Sequence, residues 1–241
     1  MRSDEVPVLE PIEAYQLWAQ SYDNTDGNAL LFAESSAVGP LLAARDFQGK
    51  AVLDAGCGTG RNLELLVQAQ PRMLVATDFA SKMIEKVRAN LNGSAGVHLQ
   101  VARLEFLPYK DGQFDFVLCT LVLGHVLKLA AAVAELSRVL RPRGSMVISC
   151  FHPFGQLLSW QRTFNAELPS GHSKWFAAKY YYHPHAEYFD AFQTSHLEIV
   201  RMIEPAIDET LRPFYEQAGR MDIYNRYSGY PLLLIFEVQK L

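Results

Sequence analysis

Val52-Leu53-Asp54-Ala55-Gly56-Cys57-Gly58-Thr59-Gly60-Arg61-Asn62 decides how this 241-residue chain is read. An apolar run ends in glycines at 56, 58 and 60, and a helix is expected from near Arg61. The pattern predicts a buried strand, a glycine-rich turn and a helix. Glycine takes φ > 0 at little cost and, having no Cβ, lets a ligand come against main-chain N–H groups. After the first strand of an open α/β sheet, such a turn is where a nucleotide-like ligand binds.

The ligand is narrowed by two acids. A dinucleotide fingerprint, G-x-G-x-x-G, would need its third glycine at Arg61, whereas the spacing here is G-x-G-x-G. Asp54 at the mouth of the turn would repel a pyrophosphate. It suits a ligand carrying positive charge, an α-ammonium or a sulfonium. Asp78 ends the apolar run 73–77, the place from which a carboxylate accepts two hydrogen bonds from a ribose diol. An adenosyl group joined to a cationic amino-acid end describes S-adenosylmethionine.

The same stretch, with Thr77-Asp78-Phe79-Ala80-Ser81-Lys82-Met83, Asp115-Phe116-Val117 and Leu136-Ser137-Arg138-Val139-Leu140-Arg141-Pro142-Arg143-Gly144, resembles the class I S-adenosylmethionine-dependent methyltransferases. The likeness is to the branch acting mostly on small molecules, and it runs from about Tyr15 to Cys150. It implies an α/β, Rossmann-like, doubly wound sheet of seven strands, mostly parallel with an antiparallel last strand. It also implies roles for particular residues. Asp54 would lie near the ammonium, and the backbone of Gly56, Cys57 and Gly58 against the methionine part. Asp78 would hold the ribose, Phe79 and Met83 would border the adenine, and Thr120 and Leu121 would touch the methionine part through their backbone. Tyr22, in Trp18-Ala19-Gln20-Ser21-Tyr22-Asp23, would reach the methionine carboxylate; read from the residues alone, Trp18 and Tyr22 serve equally as an aromatic staple for the N-terminal helix. Where the family has an acid for the adenine amino group, this chain has Arg103 in Ala102-Arg103-Leu104-Glu105, and arginine cannot accept a hydrogen bond. Either the Leu104 backbone serves with Arg103 stacked on the ring, or Glu105 substitutes.

Hydrophobic periodicity divides the chain into an N-terminal helical cap (1–48), a cofactor-binding core (49–150), an aromatic-rich insertion after strand five (151–192) and a C-terminal part (193–241). Helices are expected over 13–22, 29–45 (kinked or broken at Gly39-Pro40), 60–70, 80–91 (closed by Asn92-Gly93), 129–140, 185–195 and 208–218. Strands are expected over 50–54, 73–77, 97–101, 113–119, 145–150, 197–204 and 231–238, the last two as an antiparallel hairpin. Alternating strands and helices imply right-handed crossovers and a parallel sheet. The insertion holds 12 of the 28 aromatic residues and four of the seven histidines, so it is expected to cover the carboxyl edge of the sheet, where an acceptor would sit.

Methyl transfer from a sulfonium is an in-line displacement with a neutral leaving group, so the protein must align the acceptor, exclude water and often remove a proton. His152, after strand five, is the first candidate for that base, and His125 a second that would equally cap the following helix. His183 and His185, flanking Pro184, read as lid contacts or as helix-start residues. Cys57, Cys119 and Cys150 end neighbouring strands, but their spacings are irregular and no C-x-x-C occurs, so no metal is expected.

Net charge −4 and a sequence pI near 6.0 argue against a nucleic-acid partner, and no apolar run is long enough for a membrane span. The polar N-terminus and unpaired cysteines point to a cytoplasmic protein. The leading expectation is an enzyme that methylates an oxygen, nitrogen or carbon of a small molecule, with a homodimer through the insertion left open. The alternatives are a methyltransferase acting on protein or RNA, and a non-catalytic S-adenosylmethionine-binding partner. An NAD-dependent oxidoreductase is discouraged by Arg61 and Asp54.

Overall fold

A computed structural model describes residues 6–23, 28–91, 96–158, 160–168 and 170–241. The expected Asn92-Gly93 helix stop and most of the polar break after Asp23 lie outside the described residues. In chain order the structure forms β1 (Val8–Leu9), α1 (Pro11–Trp18), α2 (Ala29–Ala43), β2 (Ala51–Ala55), α3 (Leu63–Gln68), β3 (Met73–Asp78) and α4 (Ser81–Asn90). Then come β4 (Val97–Val101), β5 (Phe114–Thr120), α5 (Leu129–Val139), β6 (Leu140–Phe151), α6 (Phe154–Leu157), β7 (Arg162–Glu167) and β8 (Ser173–Ala178). The chain closes with α7 (His185–Thr194), β9 (Leu197–Ile203), α8 (Arg212–Gln217), α9 (Met221–Tyr227) and β10 (Leu233–Lys240).

Seven strands form one sheet in the order β4-β3-β2-β5-β6-β10-β9. β4, β3, β2, β5 and β6 are parallel, and β10 runs antiparallel to both neighbours. This is the expected Rossmann-like architecture. β2 is buried along its whole length because both faces are covered, with side chains alternating between them. Ala51, Leu53 and Ala55 enter the core that includes α5 and α7, and Val52 the core that includes α2 and α3. From β2 the chain winds outward to β3 and β4, then returns to β5 on the other side. The order therefore reverses at β2, and the crevice beyond its carboxyl end is the ligand-binding switch point of such sheets.

Three expectations are corrected. Gly39-Pro40 does not break α2, which runs through Pro40 with Pro40 and Ser36 both exposed. The Ser36 carbonyl that loses its partner is therefore on the wet side of the helix. The Pro142-Arg143-Gly144 turn is taken into β6 as an irregularity in its pairing with β5, with Arg143 at φ +60°. The helix expected over 208–218 is only α8, and a further helix, α9, follows it where none was expected.

The insertion has a sheet of its own. β7 and β8 pair antiparallel and β1 joins β8 in parallel, so the N-terminal segment and the insertion share a three-stranded sheet. β7 alternates strictly, with Arg162, Phe164 and Ala166 inward and the residues between them exposed. The inward face packs on α1 in a third core that includes Tyr15, Met83 and Phe176. This lid is locked to the sheet at Gly124, where a Cβ would lie 1.9 Å from Cζ of Tyr180.

Candidate active site

The turn after β2 is built by its backbone. Gly56 and Cys57 both donate their N–H to the Thr77 carbonyl, at 2.7 and 2.8 Å, which ties the turn to the end of β3. Gly58 N–H donates to Oδ2 of Asp78 at 3.0 Å, and Ala80 N–H to its Oδ1 at 2.9 Å. Gly56 has φ +80°, and a Cβ there would lie 2.3 Å from Cγ2 of Val122, so only glycine fits. Two adjoining cavities, of about 260 and 40 Å³, lie over the turn and share Gly56, Phe79, Val122 and His125.

The smaller cavity brings together Tyr22, Gly56, Cys57, Gly58, Asp78, Phe79, Thr120 and Leu121, all expected from the sequence. The larger one is walled by Phe79, Ala102, Arg103, Leu104 and Glu105. Arg103 is largely exposed and paired with Glu105 at 3.4 Å, so the two residues that departed from the family pattern stand together on this wall. Tyr22 lines the smaller cavity and also packs its ring on Trp18 at 5.0 Å, the aromatic staple contact. Met83 does not line either cavity. It is fully buried in the third core, because its place on α4 faces α1 rather than the cleft.

Two carboxylates set the electrostatics. Asp54 is 1% exposed, and neither of its oxygens has a hydrogen-bond partner. Burial pushes its carboxyl up to about 7, opposed by Arg61 and reinforced by Glu34 and Asp78. Burial also raises Asp78, to about 6, against the backbone donors of Ala80, Gly58 and Phe79. Arg61, which stands where a dinucleotide site would have glycine, instead pairs with the fully buried Glu34, whose other oxygen accepts from Ser149 Oγ at 3.0 Å. Thr120 Oγ1 accepts from Asn62 at 3.2 Å, and Leu121 takes a left-handed φ of +58° beside the cleft. Such a conformation costs a branched residue energy and persists only where its surroundings enforce it. Here Leu121 N–H is held by the Ser149 carbonyl at 2.7 Å.

An orphaned, buried carboxylate beside one that faces the cleft suits a ligand that brings cationic and hydroxyl donors. The donor set therefore fits the adenosyl and amino-acid ends of S-adenosylmethionine.

The two histidines differ in place. His125 lines both cavities. Its Nδ1 donates to the Lys179 carbonyl at 2.9 Å, so Nε2 is left to accept from the Tyr15 hydroxyl at 2.8 Å. Burial, and then the charge of Arg162, lower it to about 3, so it stays neutral. His152 lines neither cavity. Its Nδ1 accepts from Phe154 N–H at 3.1 Å, which puts the proton on Nε2, and Nε2 donates to Glu204 at 2.9 Å. Both ring nitrogens are thus engaged away from the cleft. His185 also meets Glu204, at 3.1 Å, and the three form a possible ligand set for a metal. The tautomer imposed on His152 places a proton on the atom that would have to coordinate.

Tyr15, Glu34 and Arg162 were missed by sequence reasoning. Tyr15 and Glu34 sit on helical faces that read as ordinary, while the R-T-F-N-A-E alternation of β7 would have placed Arg162 inward.

Residues 53–148 match the sequence profile of a methyltransferase domain. A demethylmenaquinone methyltransferase of Clavibacter sepedonicus is 34% identical over 140 residues, 55% of this chain and 54% of that protein. The chain spans between 32% and 54% of the length of the first three curated relatives it matches. An S-adenosylmethionine-dependent methyltransferase structure from Mesorhizobium loti shares the fold, with a TM-score of 0.63, 20% identity, and coverage of 86% of this chain and all of the other. So does the [4+2]-cyclase SpnF, with a TM-score of 0.69, 15% identity and 98% coverage of each chain. The glycine turn, its two acids and the sheet around them thus lie where the profile and the fold agree, and over residues 53–148 the chain is similar to the methyltransferase-domain family.

Proposed function

We propose that the chain uses S-adenosylmethionine to methylate an oxygen, nitrogen or carbon atom of a small-molecule acceptor. The observation that carries this reading is the buried, unpartnered Asp54 carboxylate at the switch-point turn, which lines neither cavity itself but feels the charge of Asp78 in the smaller one. Bound there, S-adenosylmethionine would supply a methyl group on a sulfonium whose departure leaves a neutral thioether. The Gly56–Gly58 backbone and Asp54 would hold its amino-acid end, Asp78 its ribose, and Phe79 with Leu104 its adenine. Tyr15 and Tyr22, on the lid side of the cleft, would exclude water, and His125 would fix Tyr15 by accepting a hydrogen bond from its hydroxyl. A histidine held near 3 is a poor proton acceptor at neutral pH. The chemistry then rests on alignment, which suits an acceptor atom that needs little deprotonation.

The named relative above acts, by its name, on a small molecule, and that supports a small acceptor here. No helix among the described residues is long and apolar enough to cross a membrane. A second reading, an adenosyl-binding protein that does not methylate, is favoured by the cyclase likeness along the whole chain, since one fold hosts several chemistries.

Calorimetric titration with S-adenosylmethionine, S-adenosylhomocysteine and NAD tests the cofactor. Binding of the adenosyl ligands at about micromolar Kd, weakened about tenfold or more by Asp78→Ala, is expected. Binding of NAD alone would sink the reading. Tight adenosyl binding without transfer to any compound of an acceptor panel would favour the non-methylating alternative.

A further inference from the structure

A third cavity, of about 500 Å³, opens between the lid and the sheet, walled by Trp18, Phe151, Trp160, Trp175, Tyr182 and Phe214. Its size falls in the range of small-molecule pockets, and its aromatic faces suit a flat apolar body. Asn28, Gln161, Thr163 and Arg220 also line it, but of its polar and charged residues only Arg162 is buried. Arg162 occupies an inward position of β7, is 7% exposed, and has a buried Nε with no hydrogen-bond partner.

What surrounds Arg162 is aromatic and hydroxylic. Its guanidinium lies 5.1 Å from the ring centroid of Trp18 and 5.5 Å from that of Phe151, with the Tyr15 and Tyr22 hydroxyls in reach. The groups that act most strongly on its charge are the hydroxyls of Tyr15, Tyr22 and Tyr180. Cation–π contacts offset part of the cost of burying a charge, but a guanidinium is matched by a planar anion that takes two parallel hydrogen bonds. A single buried guanidinium balances one negative charge, which favours a carboxylate over a phosphate dianion. Tyr15 and Tyr22 also line the cofactor cleft, so Arg162 stands in the partition between that cleft and the aromatic cavity.

We propose that the acceptor is a planar, largely apolar molecule bearing a carboxylate, seated in the aromatic cavity with its carboxylate on Arg162 as a handle rather than as the methylated atom. This rests on the methyltransferase reading above for the word acceptor, but the binding itself does not. Both sources of a carboxylate, the acceptor and the methionine end of the cofactor, are separable by experiment.

The probes are naphthoate and its neutral counterpart naphthamide, titrated calorimetrically into the full chain with and without S-adenosylhomocysteine. Wild-type protein is expected to prefer naphthoate by about tenfold or more, in line with a charge-assisted hydrogen-bonded pair. Arg162→Gln should remove that preference while leaving affinity for S-adenosylhomocysteine within about threefold, and Arg162→Lys, which keeps the charge but not the planar fork, should fall between. A wild-type protein that does not distinguish the two probes overturns the proposal, whether or not the variants fold. So does an Arg162→Gln protein that keeps the preference. If that variant keeps the preference and loses about tenfold or more for S-adenosylhomocysteine, Arg162 holds the cofactor's carboxylate instead. Failure of wild-type protein to bind S-adenosylhomocysteine would remove the methyltransferase reading, a result independent of the naphthoate preference.

Discussion

The cofactor-binding core and the insertion, residues 49–150 and 151–192, meet at one cleft but are built by different means. In the core, main-chain groups do most of the work: Gly56, Cys57 and Gly58 are fixed by their N–H groups, and Asp78 is held by two more. In the insertion, side chains meet across long stretches of chain. The Tyr180 hydroxyl accepts from Phe151 N–H at 2.9 Å, and Tyr182 donates to the Trp160 carbonyl at 3.0 Å. The two regions are joined where Gly124 takes the Tyr180 ring and its carbonyl accepts from Tyr181 N–H at 2.6 Å. On the proposed function, such a site would have a donor half set by backbone geometry and an acceptor half set by packing. The first is shared widely within a family, and the second is free to vary.

The largest effect expected belongs to the core. Asp54 is raised to about 7 by burial, so the unfolded chain loses that proton at lower pH than the folded one. Its contribution to stability is full below the unfolded value near 4 and is lost as pH rises through about 7, a change on the order of 3 kcal/mol. Urea unfolding of the ligand-free protein against pH should show this fall, and Asp54→Asn should reduce it to the smaller part that Asp78, raised to about 6, contributes in the same direction. A variant whose profile matches wild type would mean that Asp54 is not the uncompensated charge of the core. S-adenosylmethionine, bringing an ammonium to that carboxylate, should restore stability most at pH 7 and above.

Gly124→Ala separates the regions directly. The added Cβ would overlap the Tyr180 ring, a strain of about 2 kcal/mol that falls on the contact between lid and sheet. Trp18, Trp160 and Trp175 all lie in the lid or the insertion, so tryptophan fluorescence reports on that region, while circular dichroism reports on the whole chain. In the variant the fluorescence transition should come at lower urea than the dichroism transition. Coincident transitions would show that lid and core unfold as one unit.

The smallest effect is expected at His152. Losing the hydrogen bond to Glu204 and the one from Phe154 should lower stability by about 1 kcal/mol in His152→Ala, with affinity for S-adenosylhomocysteine unchanged. A loss of turnover of a hundredfold or more would instead show that the ring turns toward the acceptor and restore it as a base.

The positions of the parallel strands, the glycine turn and both acids were legible in the sequence because each depends on a few consecutive residues. Glycine spacing sets backbone geometry, an apolar run of five to seven residues marks a strand covered on both faces, and an acid at a strand's end stands at the carboxyl edge whatever follows. Met83 and Pro40 were not legible. Whether Met83 faces the cleft depends on where α1 docks, and Pro40 spares α2 only because it sits on the solvent side. The histidines show the limit most clearly. His125 is committed by Tyr15, 110 residues before it, and by Lys179, 54 residues after it. His152 is turned aside by Glu204, 52 residues away. A proton's position on an imidazole follows from its neighbours in space, and no spacing in the chain encodes them. The sequence by itself therefore determined the sheet and the glycine turn at the cleft, through local backbone chemistry. Only the tertiary structure decided which side chains lost their lone pairs, which carboxylate stayed unpartnered and that Arg162 lies buried between two cavities, because those outcomes depend on contacts between distant segments.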